Sequence, residues 1–201
     1  MIDLFTSSVH KTVTIETPRL SLINPSMKHY EAWAELRKSS RPFLEPFEPV
    51  WPKDDLTRAA FKRRLKRYQH SEKGNNGASF LFLTHEGEMI GGATISRMLR
   101  GVAQSCAIGY WIGEPHIQKG YMSEALLGLL PYVFIQKKFR RLEAACLPHN
   151  AASIRVLEKT GFTQEGYARE YLKIAGKWQD HLLFAMLESD FRRQESIITV
   201  D

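Results

Sequence analysis

Residues 107–139 read AIGYWIGEPHIQKGYMSEALLGLLPYVFIQKKF, and this stretch decides the predicted fold. Its first part, residues 108–112, is an apolar and aromatic run that suits a half-buried strand. The run breaks at Gly113. After Gly120 the apolar residues recur every three or four positions, as on one face of a helix: Met122, Leu126, Leu129 and Val133. The sequence therefore predicts a strand that leads into a helix through a short loop containing glycine.

This loop has the properties of a phosphate site. The first amides of a helix lack intrahelical partners and lie at the positive end of the helix dipole. A glycine at position 120 lets phosphate oxygens approach the main chain, and Lys119 adds a positive charge. The amides concerned belong to Gln118, Lys119, Gly120, Tyr121, Met122 and Ser123. An ordinary strand–helix connection remains the alternative. The sequence contains neither GxxxxGK[ST] nor GxGxxG with a following acidic residue, which narrows the kinds of phosphate loop to consider.

Three stretches carry a resemblance to a known family: GYWIGEPHIQKGYMSEAL, PHNAASIRVLEKTGFTQEGYAREYLKIAGKWQDHLLFAM and SRPFLEPFEPVWP. From about Glu16 to about Met186 the chain resembles the Gcn5-related N-acetyltransferases (GNAT), and within them the ribosomal-protein-alanine N-acetyltransferases of the RimJ/RimL group. Ile117 and Met122 depart from that family's [QR]-x-x-G-x-[GA] loop. The resemblance implies acetyl-coenzyme A as cosubstrate and a pyrophosphate held by the amides of residues 118–123. The sequence has no HxxH and no carboxylate cluster at metal-ligand spacing, so we predict no metal.

The predicted fold class is α/β of the α+β type. By resemblance it is the GNAT fold, a mixed, mostly antiparallel twisted sheet that splays at a central parallel strand pair and is flanked by helices. The pattern itself predicts antiparallel strands from residue 78 onward, followed by parallel pairing of residues 107–112 with 142–147. If the two strands splay near Gly113, their unpaired backbone groups offer a place for an extended amide chain. In the resembled family pantetheine lies there. We expect backbone amides of a bulged strand near Trp111 and Ile112 to polarise the acetyl carbonyl.

Composition indicates one globular domain over residues 1–201, with a core from about 12 to 188 and frayed ends that include ESIITVD. A net charge of +6 and a pI near 9.3 favour acidic partners such as cofactor phosphates or ribosomal RNA. No run of 18 apolar residues suggests a membrane span, and the N-terminus lacks a signal-peptide pattern, so we expect a cytoplasmic protein. The pattern does not predict oligomeric state.

The two cysteines, Cys106 and Cys146, lie in apolar runs without a CxxC partner, so we expect reduced packing residues. The alternative, an acyl-carrying nucleophile, lacks a histidine or aspartate at suitable spacing.

The segment from residue 12 to 52 combines a first strand, a helix and a proline-rich loop. Residues 12–24 alternate as a strand interrupted at Pro18, and Ser26 is a candidate cap for a helix over 27–38. Four prolines in residues 40–52 argue against regular structure. This ordered loop either covers the core or shapes the acceptor site, with carboxylates for a cationic amine and aromatic walls: Phe43, Glu45, Glu48 and Trp51.

A basic helix is predicted next, over residues 55–73, starting at Asp54 or Thr57. Its apolar stripe faces the core, and the cations form the opposite face: Lys62, Arg63, Arg64, Lys66 and Arg67. A solvated face is one interpretation, and contact with RNA or the ribosome is the other.

A short helix closed by Gly161 carries the candidate general acid. Asn150 and Ser153 have a complete explanation as capping residues. By resemblance, however, an N-x-x-S at this helix start contacts the cofactor, and Ser153 would protonate the departing thiolate. Leu157 occupies the position where many members of the superfamily place a catalytic tyrosine.

Two glutamates compete as the base. Glu170 matches an acidic position of the resembled group, and Glu165 should point to the other face of the strand if alternation holds. An N-terminal α-amine is already roughly 10–20% neutral at pH 7, whereas a lysine side chain is below about 0.1% neutral.

Residues 167–186 read as a hairpin in which Asp180 and His181 match the group's W-x-D-H pattern, and His149 reads as a turn residue.

By resemblance, the sequence predicts an N-acetyltransferase that acts by direct transfer on the N-terminal α-amine of a protein, in particular a ribosomal protein that begins with alanine. An enzyme for a small amine or antibiotic, and a ribosome-associated or RNA-associated assembly factor, remain the alternatives.

Overall fold

An eight-stranded sheet organises residues 13–198, the part of the chain that the computed structural model describes. The strand order is β1-β2-β3-β4-β5-β6-β8-β7. The strands are β1 (Thr14–Glu16), β2 (Leu20–Ile23), β3 (Ala78–Thr84), β4 (Met89–Leu99), β5 (Ser105–Ile112), β6 (Arg141–Cys146), β7 (Thr163–Ile174) and β8 (Lys177–Leu187). The predictions for the N-terminal residues 1–12 and the last residues 199–201 lie outside the described range.

The helices follow the predicted pattern in most places. They are α1 (Tyr30–Ser39), α2 (Arg41–Leu44), α3 (Arg58–Lys73), α4 (Tyr121–Pro131), α5 (Ala151–Lys159) and α6 (Glu188–Ile198). The hydroxyl of Thr57 accepts a hydrogen bond from the Ala60 amide and so caps α3 as expected. Ser26 caps a short 3-10 turn that precedes α1. α6 continues to Ile198, which differs from the frayed end predicted from residue 195.

The first strand was predicted as one interrupted element, and that prediction is wrong. Pro18 lies in a tight turn where the Thr17 amide donates to the Leu20 carbonyl at 2.8 Å. β1 and β2 are consequently two antiparallel strands, with Ile15 opposite Leu22. Proline fixes its own φ and lacks an amide hydrogen, so it favours a reversal here over a continuous strand.

The only parallel neighbours in the described sheet are β5 and β6, as the strand–helix–strand order predicts. Their pairing is shorter than the predicted range. Only residues 105–107 of β5 pair, with residues 141–143 of β6. β6 remains paired with β8 as far as Cys146. The confirmed features are thus the mixed sheet and its central parallel pair.

Two apolar layers cover the sheet. α4 and α5 pack on one face, which we call the α4 face, and the predicted stripe of α4 is buried there. α1 and α3 pack on the opposite face, the α1 face, through Trp33, Phe61 and Leu65. Gly113, at the end of β5, is required for this packing, because a Cβ atom there would lie 2.3 Å from Leu36.

Pro131 ends α4 as a regular helix. The next turn, Tyr132–Gln136, is a π-helix in which the Lys137 amide donates to the Tyr132 carbonyl at 2.8 Å. Proline removes one hydrogen bond of the α-helical ladder, so a wider turn follows it.

The proline-rich segment contains regular structure, contrary to the prediction. It forms α2 and a 3-10 turn over Glu45–Phe47. Pro42 and Pro46 each occupy the first turn of their helix, where a missing amide hydrogen costs little. We call residues 41–51 the cover segment. Its Glu48 carbonyl accepts a hydrogen bond from the Ala175 amide at 2.9 Å, so the segment joins α1 to the tip of the β7–β8 hairpin.

Within residues 13–198, no helix is long and apolar enough to cross a bilayer.

Candidate functional site

The site begins where β5 and β6 part. Beyond Ala107 and Glu143 the two strands form no pairs, although each keeps its other neighbour. The prediction placed this separation near Gly113, and the structure moves it five residues earlier along β5. Backbone groups along both open edges are therefore available to an extended amide chain, as in recognition by strand addition. We call this opening the gap.

The predicted bulge at Trp111 and Ile112 is absent. These residues pair regularly with Gly92 and Gly91 of β4. The irregularity lies at the other end of β4, where Arg97 has a φ of 49°. In a regular antiparallel ladder alternate amides face the neighbouring strand, so one of the two amides at 111 and 112 faces the gap. The expected polarising contact can thus come from one amide of this pair.

The predicted phosphate loop has suitable geometry. Gly120 is the N-cap of α4 with a φ of 80°, and Gln118 also lies in the left-handed region with a φ of 59°. In the described residues, the amides of Gln118, Lys119 and Gly120 donate to no backbone carbonyl. Such a turn aims successive N–H groups at one concavity, and the helix dipole adds positive potential. The loop therefore has the hydrogen-bond donors and the positive potential that an anion such as a diphosphate requires.

Arg19 also belongs to this loop, and the sequence interpretation missed it. Its guanidinium lies 4.6 Å from the ring centre of Tyr121 and donates to the Lys119 carbonyl at 3.0 Å. Glu124 holds it through a 2.6 Å ion pair. Although burial opposes it, hydrogen bonds from Thr17 and Arg19 lower the pKa of Glu124, so this carboxylate stays ionised. Arg19 is 100 residues from the loop in sequence, and no local pattern marks it.

Ser153 lies at the gap in the first turn of α5. The Asn150 side-chain oxygen accepts the Ser153 amide at 3.1 Å, so the predicted capping role of Asn150 is confirmed. The Ser153 hydroxyl oxygen is 2.7 Å from the hydroxyl oxygen of Tyr110 on β5. Burial raises the pKa of Tyr110, which keeps the phenol neutral. The sequence interpretation treated Tyr110 only as a strand residue, although an aromatic hydroxyl beside a strand break was a usable signal.

The two cysteines are free and buried. Burial raises the pKa of Cys106 to about 12 and that of Cys146 to about 11. A protonated, buried thiol is a poor nucleophile, and the packing role is confirmed. Leu157 is fully buried in the core on the α4 face, so this position supplies no hydroxyl to the gap.

Glu165 and Glu170 are separated by a break in the strand pattern. The register of β7 against β8 shifts after Gln164 and again after Ala168, so simple alternation does not relate the two side chains. Glu165 forms an ion pair with Arg141, whose hydrogen bonds lower the pKa of Glu165. The Glu165 carboxylate is therefore already engaged in an ion pair. The Glu170 side chain is exposed.

Asp180 fixes the backbone at Glu170. Its carboxylate accepts hydrogen bonds from the Tyr167 hydroxyl and, at 2.8 Å, from the Glu170 amide. These bonds lower the pKa of Asp180. Glu170 has a φ of 45°, which an L residue rarely adopts without such support. His181 is buried, with Nδ1 2.9 Å from the Gln179 carbonyl oxygen.

The four predicted acceptor contacts lie in the cover segment, and each has a partner inside the protein. Glu48 makes two hydrogen bonds, 2.7 and 2.6 Å, to the buried guanidinium of Arg37, and it accepts from the Trp51 indole. Arg37 also stacks on Trp51, with its guanidinium carbon 4.1 Å from the ring centre. Glu45 pairs with the exposed Arg41. The Phe43 ring packs edge-on against Phe47.

Two cavities flank these elements. The inner cavity, about 460 Å³, lies on the α1 face and is lined by residues that include Arg37, Glu48, Tyr110 and Trp111. The open groove, about 560 Å³, lies along the β7–β8 hairpin. Its lining residues are Pro148, His149, Tyr167, Glu170, Trp178, Gln179 and Asp180. Residues 13–198 hold no cluster of three or more His, Cys, Asp or Glu side chains placed to bind a metal ion.

A splayed parallel pair, an amide loop at a helix start and a hydroxyl at the opening define an acyltransferase type of site. The sequence profile of the Acetyltransferase (GNAT) domain matches residues 19–163. The chain therefore belongs to the GNAT family and is an N-acetyltransferase of the RimJ/RimL type, as the resemblance predicted.

Two curated relatives and one solved structure support this assignment. The chain is 36% identical over 164 residues to the [ribosomal protein uS5]-alanine N-acetyltransferase of Escherichia coli (strain K12), covering 80% of this chain and 84% of the relative. It is 36% identical over 156 residues to the probable N-acetyltransferase YjcK of Bacillus subtilis (strain 168), covering 77% and 86%. The structure of Mycobacterium smegmatis RimJ in complex with CoA-disulfide superposes with a TM-score of 0.83, at 26% identity, over 92% of this chain and 93% of that one.

Proposed function

We propose that this protein transfers the acetyl group of acetyl-coenzyme A to the N-terminal α-amine of a protein, and that the acceptor is a ribosomal protein beginning with alanine. The name of the relative from E. coli describes an alanine N-acetyltransferase for ribosomal protein uS5. The observation that supports the proposal best is the gap, where β5 and β6 separate and Ser153 is placed beside the open edge of β5 by its contact with Tyr110.

The cofactor would bind from the α4 face. The free amides of residues 118–123, with Lys119 and Arg19, would hold its diphosphate. The open edges of β5 and β6 would pair with the two amides of pantetheine, which brings the thioester towards Ser153. One amide of the pair at 111 and 112 would donate to the thioester carbonyl oxygen and stabilise its developing negative charge.

The transfer step uses two side chains. The neutral amine attacks the carbonyl carbon, the C–S bond breaks, and its electron pair stays on sulfur. Ser153 donates a hydrogen bond, and then a proton, to that sulfur, and it takes a proton back from solvent once coenzyme A has left. Glu170, in the open groove, takes the proton that the new amide nitrogen loses, directly or through water. An α-amine is partly neutral at pH 7, so it demands less of this base than lysine would.

The test is acetylation of a peptide panel. The protein is incubated with acetyl-coenzyme A and peptides that differ only in their first residue, and mass spectrometry locates the acetyl group. An Nα-blocked lysine peptide and spermidine are the controls. We expect Nα-acetylation, strongest for alanine. Acetylation confined to lysine side chains or to spermidine contradicts the proposal and favours the small-amine alternative.

A second function, docking on ribosomal RNA, rests on the basic helix α3. Three of its arginines are paired: Arg58 with Glu31, Arg63 with Asp54 and Arg64 with Asp55. Four other cations of α3 are exposed and have no ion pair within residues 13–198: Lys62, Lys66, Arg67 and Lys73. Such a face suits a phosphate backbone, to which binding weakens as salt rises.

The triple substitution Lys62→Ala, Lys66→Ala and Arg67→Ala tests this second function. We expect weaker binding to ribosomal subunits and a shallower salt dependence, with unchanged acetylation of short peptides. A matched control replaces Arg58, Arg63 and Arg64, which removes the same charge from paired positions. Equal loss in both variants indicates a general charge effect and argues against a docking face.

A further inference from the structure

Tyr110 is the side chain that crosses the gap. It lies three residues beyond the last β5–β6 pair, on the same side of β5 as Cys106 and Ile108. Its hydroxyl reaches α5, 43 positions later in sequence, and its oxygen lies 2.7 Å from the Ser153 hydroxyl oxygen. The established family assignment gives Tyr110 no role.

Distance alone allows either hydroxyl to donate in this contact. In the described residues the Tyr110 hydroxyl has two hydrogen-bond contacts, both with Ser153: the hydroxyl at 2.7 Å and the carbonyl at 3.5 Å. The short contact to the hydroxyl is the stronger one, and acidity decides which of the two groups donates in it. A phenol is a stronger acid than an alkyl alcohol, which makes it the better donor in a pair of hydroxyls.

This direction has a consequence for Ser153. A serine hydroxyl carries one hydrogen and two lone pairs. If a lone pair accepts from Tyr110, the serine hydrogen must find another acceptor. Besides Tyr110, the Ser153 hydroxyl contacts the Cys146 thiol of β6, whose pKa is raised to about 11 by burial, and a neutral thiol accepts only weakly. The hydrogen is then free for an anionic sulfur in the gap.

We propose that Tyr110 is a positioning residue: its hydroxyl donates to Ser153 and thereby aims the Ser153 hydrogen at the sulfur of the bound cofactor. The proposal rests on the proposed function, because it assumes that the cofactor sulfur reaches Ser153. A chain of two hydrogen bonds polarises both hydroxyls, so the terminal donor binds an anion more strongly than a lone serine does. A simple tether between β5 and α5 would need no such direction.

The test compares coenzyme A with desulfo-coenzyme A, which lacks the thiol, by calorimetry across a range of pH. Stabilising the thiolate lowers the pKa of the bound thiol, so coenzyme A should gain affinity over desulfo-coenzyme A as pH rises towards the pKa of the free thiol. Tyr110→Phe should remove most of this gain and lower kcat for peptide acetylation about tenfold. Its Kd for desulfo-coenzyme A should stay unchanged, which also shows that the variant is folded.

The double variant decides whether Tyr110 acts through Ser153. We expect Ser153→Ala to remove the gain and Tyr110→Phe to add nothing to it, since the two act as one unit. Ser153→Thr, which keeps a hydroxyl, should preserve the gain while Tyr110 is present and lose it with Tyr110→Phe. Tyr132→Phe is the control, because it deletes another buried phenol hydroxyl, packed against Phe80.

Three results have distinct meanings. If Tyr110→Phe keeps the pH-dependent gain, or if its effect on kcat adds fully to that of Ser153→Ala, the positioning role is overturned. If Ser153→Ala also keeps the gain, the acid role assigned to Ser153 fails, and the positioning role fails with it. If the gain follows the expected pattern but no peptide is acetylated, the proposed acceptor is wrong and Tyr110 retains its role.

Discussion

The two sides of the gap are built in different ways. On the α4 face the phosphate loop is one contiguous run, residues 118–123, and Arg19 joins it from a distant part of the chain. On the α1 face and along the hairpin, the walls come from distant parts of the chain: α1, the cover segment and the β7–β8 hairpin. The first side depends on backbone groups, and the second depends on side chains. Substitutions should therefore separate cofactor binding from acceptor binding and turnover.

Ser153, at the junction of the two sides, should give the largest effect. Ser153→Ala removes the donor to the leaving sulfur while the Asn150 cap remains, so we expect kcat to fall by about 10²–10³ with little change in the Kd for coenzyme A. Steady-state kinetics and calorimetry measure the two quantities. Ser39→Ala, an exposed helical serine, is the control. An unchanged kcat would show that Ser153 is not the donor to the leaving sulfur.

Glu48 should matter for stability more than for acceptor binding. Glu48→Gln leaves the buried Arg37 guanidinium without its anion, and we expect about 2–3 kcal/mol less free energy of unfolding. Glu45→Gln breaks an exposed pair of the same type and should cost less than about 0.5 kcal/mol. Urea denaturation compares the two variants. Equal stabilities would restore Glu48 as a candidate contact for the acceptor amine.

The two candidate bases should differ in pH behaviour. Glu170→Gln should lower kcat about tenfold at neutral pH, and less for α-amine acceptors than for lysine. Glu165→Gln should leave kcat unchanged. Because Arg141 lowers the pKa of Glu165, its stabilising contribution is present above about pH 4.3 and is lost as pH falls through the folded-state pKa. Thermal unfolding of this variant should then match the wild type in acid and fall below it at neutral pH.

Gly120 tests the backbone-dependent side. Gly120→Ala forces an L residue to a φ of 80°, and the loop should shift to relieve about 1 kcal/mol of strain, weakening coenzyme A about fivefold. Gly87→Ala is a matched control, with a φ of 88° and open space around the added methyl. Both variants should lose similar stability, and only Gly120→Ala should lose affinity for coenzyme A. A similar loss of affinity for coenzyme A in both variants would indicate that the loop does not bind the cofactor.

Local patterns predicted most of the backbone and part of the site. The change from period two to helical period at Gly120, the capping of α3 and α5, and the strand–helix–strand order all depend on neighbouring residues, so they were readable. The Tyr110–Ser153 contact, the position of Arg19 and the Arg37–Glu48 pair join residues far apart in sequence. The sequence did not predict the bulges around Glu170, because the alternation of side chains assumes a regular strand. Asp180 stabilises an irregular strand there.

Because the β5–β6 pairing is short, the two halves of the sheet meet at one end and separate at the other. Three residue pairs join the two halves of the sheet at one end. The side chains packed at that joint include the fully buried Phe139 and Leu142. A protein interior is close-packed, so a larger side chain at this joint must push the two halves of the sheet apart. The width of the gap is thus set by residue volume at this joint, although Phe139 and Leu142 line neither the inner cavity nor the open groove.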